Sequence, residues 1–166
     1  MINRILKGYQ IVEKIKDGSV GTVWRAINSK NQLFALKQLS ERNAARPDKV
    51  RQFKKEATLQ LKLQQRHIIR VFEYVDVKPQ PFFTMEYFDS ENLKHSMWYK
   101  PEQVYKAEFF ILRQLAEALG YIHRLGIIHK DIKPENVLVS ANSEMKLIDF
   151  SLAQTKWDRF LQFGKN

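Results

Sequence analysis

The sequence predicts an α+β fold: five strands with one helix, then a mainly helical stretch. Two observations carry this. The first third is rich in β-branched and aromatic residues interrupted by turn residues, whereas the stretch from about Pro101 to Leu125 repeats apolar residues at helical spacing. Between them, Asp89-Ser90-Glu91-Asn92 has the composition of a connector that ends in a helix cap.

Strands are expected at Tyr9–Ile15, Thr22–Ala26 and Leu33–Leu39, separated by Asp17-Gly18 and by Asn28-Ser29-Lys30-Asn31. A helix follows from about Pro47 to Gln65. Proline suits its first turn, and Phe53, Ala57 and Leu61 share a stripe. Two further strands lie near Ile68–Val75 and Phe82–Tyr87. In the long helix, Phe109, Leu112, Ala116, Leu119 and Ile122 recur at spacings of three and four, and Gly126 is a natural stop. Short strands at Val137–Val139 and Met145–Ile148 flank a turn at Ala141–Ser143.

Composition narrows the function classes. The 166 residues are 44% hydrophobic and 28% charged, as in folded domains. No run approaches the length of a membrane span, and Met1–Lys7 has too short an apolar part for a secretory signal, so a cytoplasmic location is expected. Without cysteine there is no disulfide scaffold or thiolate metal site. The net charge of +10 raises nucleic acid as a partner. The basic residues are scattered, however, and no helix-turn-helix or aromatic RNA-binding signature is present, so no nucleic-acid partner is expected.

The chemistry concentrates in Ile128-His129-Lys130-Asp131-Ile132-Lys133-Pro134-Glu135-Asn136 and in Asp149-Phe150-Ser151. An acid, a lysine and an amide fall within six residues, and a second acid follows behind a short hairpin. Phosphoryl transfer from a metal nucleotide needs that inventory: a carboxylate near the attacking hydroxyl, a cation for developing charge and hard oxygen ligands for magnesium. Upstream, Lys37 ends Phe34-Ala35-Leu36-Lys37, between the turn Gly18-Ser19-Val20-Gly21-Thr22-Val23 and Glu56 on the helix.

Together these motifs closely resemble the catalytic domain of eukaryotic-type serine/threonine protein kinases. The resemblance spans nearly the whole chain but only the amino-terminal part of such a domain. It implies a kinase small lobe at residues 8–88 and a partial large lobe at 89–166, transferring the ATP γ-phosphoryl group to protein Ser/Thr hydroxyls. Asp131 would orient the acceptor hydroxyl and take its proton, and Lys133 would neutralise the phosphoryl group. Lys133 also marks serine/threonine rather than tyrosine kinases. Asn136 and Asp149 would hold Mg2+. Lys37, paired with Glu56, would hold the ATP phosphates beneath Gly18 and Gly21. Ile15, Val23 and Ala35 would cover the adenine and Leu138 would floor it. Backbone groups of Glu86 and Phe88 would bond its edge, behind which Met85 stands guard.

The sequence departs from the pattern at Lys16 (first glycine of the hairpin), Lys130 (arginine), Ser151 (glycine) and Gln60 (an apolar residue). No Ala-Pro-Glu follows Asp149, and the helices that complete a large lobe are absent from these residues. Residues 1–166 alone are therefore expected to be inactive and marginally stable. The competing expectations are an ATP-binding pseudokinase or interaction module, and a small-molecule kinase of related fold.

Overall fold

A computed structural model describes residues 4–156 and 158; Met1–Asn3, Trp157 and residues 159–166, parts of the stretches weighed as a secretory signal and as partial large lobe, lie outside the described residues. The chain forms two compact units. One contains the chain up to Lys62 together with Arg70–Phe88, and the other contains Leu63–Ile69 and the chain from Asp89 onward.

The first unit is an antiparallel sheet of β1 (Arg4–Leu6), β2 (Tyr9–Asp17), β3 (Gly21–Ile27), β4 (Leu33–Leu39), β5 (Val71–Val75) and β6 (Phe82–Glu86), in the order β1-β2-β3-β4-β6-β5. It has six strands rather than the expected five. The added strand, β1, folds back on β2 through Lys7-Gly8, both at positive φ (45° and 91°). Two such residues match the twist a two-residue hairpin requires, and Gly8 was its sequence signal.

A second helix also appears, α1 (Glu41–Ala44), capped by Ser40 Oγ, which accepts from Asn43 N–H at 3.4 Å. The main helix of this unit, α2 (Pro47–Gln60), stops five residues earlier than expected. Phe53 and Ala57 of α2 pack with Leu39, Val71 and Phe83 on one sheet face; Ile11, Ala26, Leu36 and Phe82 form a second apolar cluster.

The strand expected from Ile68 begins only at Val71, because Leu63–Ile69 is held by the second unit. There Ile69 N–H donates to Leu147 O (3.0 Å), and Leu147 N–H donates to His67 O (2.8 Å). Around that anchor stand β7 (Glu91–Asn92), α3 (Leu93–Tyr99), α4 (Pro101–Arg124), β8 (Val137–Val139) and β9 (Met145–Leu147), with the strands in the order β7-β8-β9. Asn92 caps α3 as the sequence suggested, its Oδ1 accepting from His95 N–H at 3.0 Å.

The inward stripe of α4 is Ile111, Gln114, Ala118 and Ile122, not the expected Phe109–Ile122 series. Phe109 is 80% exposed and Leu112 62%. The helix carries two apolar faces, and a polar residue decides between them. Gln114 donates to Phe110 O (3.2 Å) and Ser143 O (2.9 Å) and accepts from Met145 N–H (3.0 Å), satisfying the β8–β9 hairpin from within the core. Gly126, at φ 73°, ends the helix: Ile127 N–H reaches back to Ile122 O at 2.9 Å.

Candidate functional site

In the first unit, β3 and β4 pair so that Val23 lies opposite Lys37. Alternation along β4 buries Leu36 and Gln38 on one face and leaves Lys37 half-buried toward α2. There Lys37 Nζ meets Glu56 Oε1 at 2.7 Å, and Glu56 is only 3% exposed. The ammonium also sits 5.6 Å from the centre of the Phe83 ring. A buried carboxylate with a cation at this distance fixes the lysine's direction.

The β2–β3 turn closes by Gly18 N–H donating to Gly21 O at 3.0 Å. Its two glycines have different reasons to be glycine. A Cβ on Gly21 would stand 2.0 Å from the backbone oxygen of Gln38, inside the β3–β4 ladder, whereas a Cβ on Gly18 would stand 3.5 Å from Gly21 O, an ordinary contact. Gly21→Ala should therefore destabilise the first unit by about 1–3 kcal/mol, the usual cost of overpacking, and Gly18→Ala by less. Urea unfolding of the two variants checks this, and equal midpoints would contradict it.

Ile15 lies exposed on β2, Val23 is half-buried and Ala35 is buried, with Ala35 opposite Met85 in the β4–β6 pairing. Glu86 N–H is engaged by Arg70 O at 2.9 Å, and Glu86 Oε1 accepts from Arg70 N–H at 2.7 Å. Phe88, half-buried, closes this unit. Gln60 is buried one turn beyond Glu56, and its Oε1 has no hydrogen-bond partner among the described residues, which marks the polar replacement there as costly.

In the second unit, β8 and β9 pair with Val137 opposite Leu147, and Ile148 N–H donates to Asn136 O at 3.0 Å. Asn136 and Asp149 are thereby set at the same end of one hairpin. Asn136 Nδ2 donates to both the backbone oxygen and Oδ2 of Asp131, each at 2.9 Å. Spending its NH2 on Asp131 turns its amide oxygen the other way, as a metal ligand requires. Lys133 Nζ reaches Asp131 Oδ2 at 2.7 Å, and that carboxylate pushes the lysine's pKa up, so its cation is secure. Leu138, half-buried in β8, lies opposite Asn92 and Lys146.

His129 organises the loop from below, a role the sequence reading left unassigned. Its buried ring packs edge-on to Phe150 with centroids 4.6 Å apart. Nε2 lies 3.1 Å from Ile148 O, and Asp131 N–H donates to Nδ1 at 3.3 Å. Both contacts are met by the neutral tautomer with the proton on Nε2. Lys130 and Asp149 take positive φ (68° and 64°). Asp149 Oδ1 accepts from Ser151 N–H at 3.3 Å, so the serine that replaces glycine still supplies the backbone donor.

Burial pulls the pKa of His129 down, and that of His67 likewise. The unfolded chain, with histidine near ~6.5, then binds more protons than the folded one just below that pH. This stability is complete above the unfolded value and is lost as pH falls through the folded value. Thermal midpoints should drop between about pH 7 and about pH 5, and His129→Gln should show a shallower slope. A flat profile for the parent would contradict the assignment.

Among the described residues no three His, Cys, Asp or Glu side chains converge. The amide oxygen of Asn136 and the carboxylate of Asp149 are hard oxygen donors of the kind magnesium accepts, its remaining positions going to water or phosphate. The set fits Mg2+ with a nucleotide and does not fit a closed structural metal site. No helix among the described residues is long and apolar enough to cross a membrane.

A lysine–glutamate pair on a strand and helix, and an Asp-Lys-Asn loop beside a second Asp, define a phosphoryl-transfer class of protein. The protein kinase domain model matches residues 9–159, and the chain belongs to that family. It is similar to the probable serine/threonine-protein kinase pknA2 of Bifidobacterium longum, 29% identical over 150 residues that are 88% of this chain and 20% of that protein. It is also similar to the serine/threonine-protein kinase PknL of Mycobacterium tuberculosis, 29% identical over 147 residues, 88% of this chain and 37% of that protein. The crystal structure of the Mycobacterium tuberculosis PknI kinase domain superposes with a TM-score of 0.72 at 26% identity, covering 92% of this chain and 63% of that one. The chain thus spans well under half the length of those two curated relatives.

Proposed function

We propose that this chain carries the nucleotide- and metal-handling part of a serine/threonine protein kinase, with the first unit as small lobe and the second as the beginning of the large lobe. The observation that carries the reading is the Asp131 carboxylate held by Lys133 at 2.7 Å and by Asn136 at 2.9 Å. Bound magnesium-ATP would supply the phosphoryl group and screen its charge. Lys37, steered by Glu56, would hold the phosphates with the Gly18–Gly21 turn, and Ile15, Val23, Ala35 and Leu138 would contact the adenine. Backbone groups of Glu86 and Phe88 would bond its edge. Asn136 and Asp149 would offer oxygens to the metal. Asp131 accepts the proton of a Ser or Thr hydroxyl, and Lys133 stays charged beside it.

Calorimetric titration with ATP tests the reading. Binding should require magnesium and be lost in Asp149→Asn; binding indifferent to both would overturn it. As a separate polypeptide, residues 1–166 should bind nucleotide but phosphorylate peptides little. The face of α4 bearing Phe109 and Leu112 has no cover among the described residues, so the helix supporting the catalytic loop is not braced on that side. Robust transfer to a Ser/Thr peptide by this polypeptide would contradict that part.

A further inference from the structure

The second unit also contains a cavity of about 240 Å³, walled by α4, the β8–β9 turn and the segment at Arg66, that the proposed chemistry does not use. Pockets for drug-sized ligands run to about 300–1,000 Å³, so this one suits a side chain or two rather than a nucleotide. Its lining sets three cations, Arg66, Arg113 and Lys146, against two carboxylates, Glu117 and Glu144. Glu117 is shared by two guanidiniums, Arg66 Nη2 at 3.3 Å and Arg113 Nε at 3.2 Å. Arg66 Nε is taken by His67 Nε2 at 2.9 Å, and the two guanidiniums still carry more N–H donors than Glu117 accepts. Lys146, whose Nζ donates to Arg66 O at 2.9 Å, adds a third cation to the lining. Beside them the Phe110 ring, 46% exposed, gives the cavity an apolar wall.

We infer that this cavity is a docking site for a segment of another protein that places a carboxylate beside an apolar side chain. The guanidiniums of Arg66 and Arg113 take the carboxylate, a planar match that arginine makes bidentately. Phe110 takes the apolar neighbour. Glu117 and Glu144 in the same lining oppose a run of phosphates, which disfavours nucleic acid or an anionic lipid surface. The net charge of +10 speeds the approach of an acidic partner. The site lies wholly within one unit and does not depend on the kinase reading.

The test is fluorescence anisotropy of residues 1–166 with a labelled peptide of alternating Leu and Glu, beside matched Leu/Lys and Ala/Glu peptides. Only the Leu/Glu peptide should bind well. The double variant Arg66→Gln/Arg113→Gln should weaken it about tenfold or more. Lys30→Gln, an exposed charge in a turn of the first unit, should leave binding unchanged. Glu144→Gln, at an exposed position, should tighten binding about threefold by removing a repelling charge. This gain decides the matter if the double variant melts. Equal loss in Lys30→Gln would mean attraction by net charge alone. That result, an unchanged Glu144→Gln, or tighter binding of heparin or phosphatidylserine vesicles lost in the same variants would overturn the proposal.

Discussion

Replacing Lys37 with alanine should weaken magnesium-ATP binding by tenfold or more, about 1.4 kcal/mol or greater, while Lys30→Ala leaves it unchanged. The substitution removes a charge-assisted contact to phosphate and also takes away the cation beside Glu56. That carboxylate is buried at 3% exposure, with Lys37 at 2.7 Å. Breaking a buried pair by deleting one partner costs about 3–5 kcal/mol, so Lys37→Ala should also lower the thermal midpoint of the first unit. Lys37→Met/Glu56→Gln, which removes both charges, separates the two effects: stability should recover substantially while nucleotide affinity does not. Equal calorimetric affinities for the Lys37 and Lys30 variants would remove Lys37 from the phosphate site.

The same pair shows why part of the site was legible in the sequence. Lys37 and Glu56 are recognisable because strand alternation fixes the side of β4 on which Lys37 lies, and because Glu56 shares a helix face with Phe53 and Ala57, which form the core. Asp131, Lys133 and Asn136 are close in sequence, and a tight loop brings them together. What stayed hidden depended on partners far along the chain. Gln114 reads as a solvated helix residue until the Ser143–Met145 turn arrives to be satisfied, and the true inner face of α4 follows from it. The early end of α2 and late start of β5 have one cause, the capture of Leu63–Ile69 by Leu147, which no local pattern announces. The extra strand β1 was a different kind of omission, since Lys7-Gly8 is a local turn signal beside three residues too few to show alternation.

Asp131→Asn should reduce phosphoryl transfer by about 10²–10⁴, the range in which a positioned acid–base group acts. Nucleotide affinity should change little. The measurement suits a chimera in which these residues are joined to the remaining large-lobe segment of a relative such as PknL, so that low activity cannot be ascribed to the exposed face of α4. The expectation follows from the way the loop is held. Asn136 donates its NH2 to Asp131 at 2.9 Å, so Asp131 is bound to the amide nitrogen of Asn136 and not to the oxygen that would serve a metal. Its carboxylate shares Oδ2 with Lys133 at 2.7 Å. Asparagine can keep an oxygen for both donors but cannot accept the proton of a serine hydroxyl at neutral pH. Geometry would survive while the proton acceptor is lost, lowering the transfer rate without weakening magnesium-ATP. Lys133→Met should act differently, lowering transfer and also loosening the loop, because the raised pKa of Lys133 comes first from its bond to Asp131. Transfer by Asp131→Asn at the parental rate would show that Asp131 is not the proton acceptor, and a preference for tyrosine over serine and threonine would contradict the role given to Lys133.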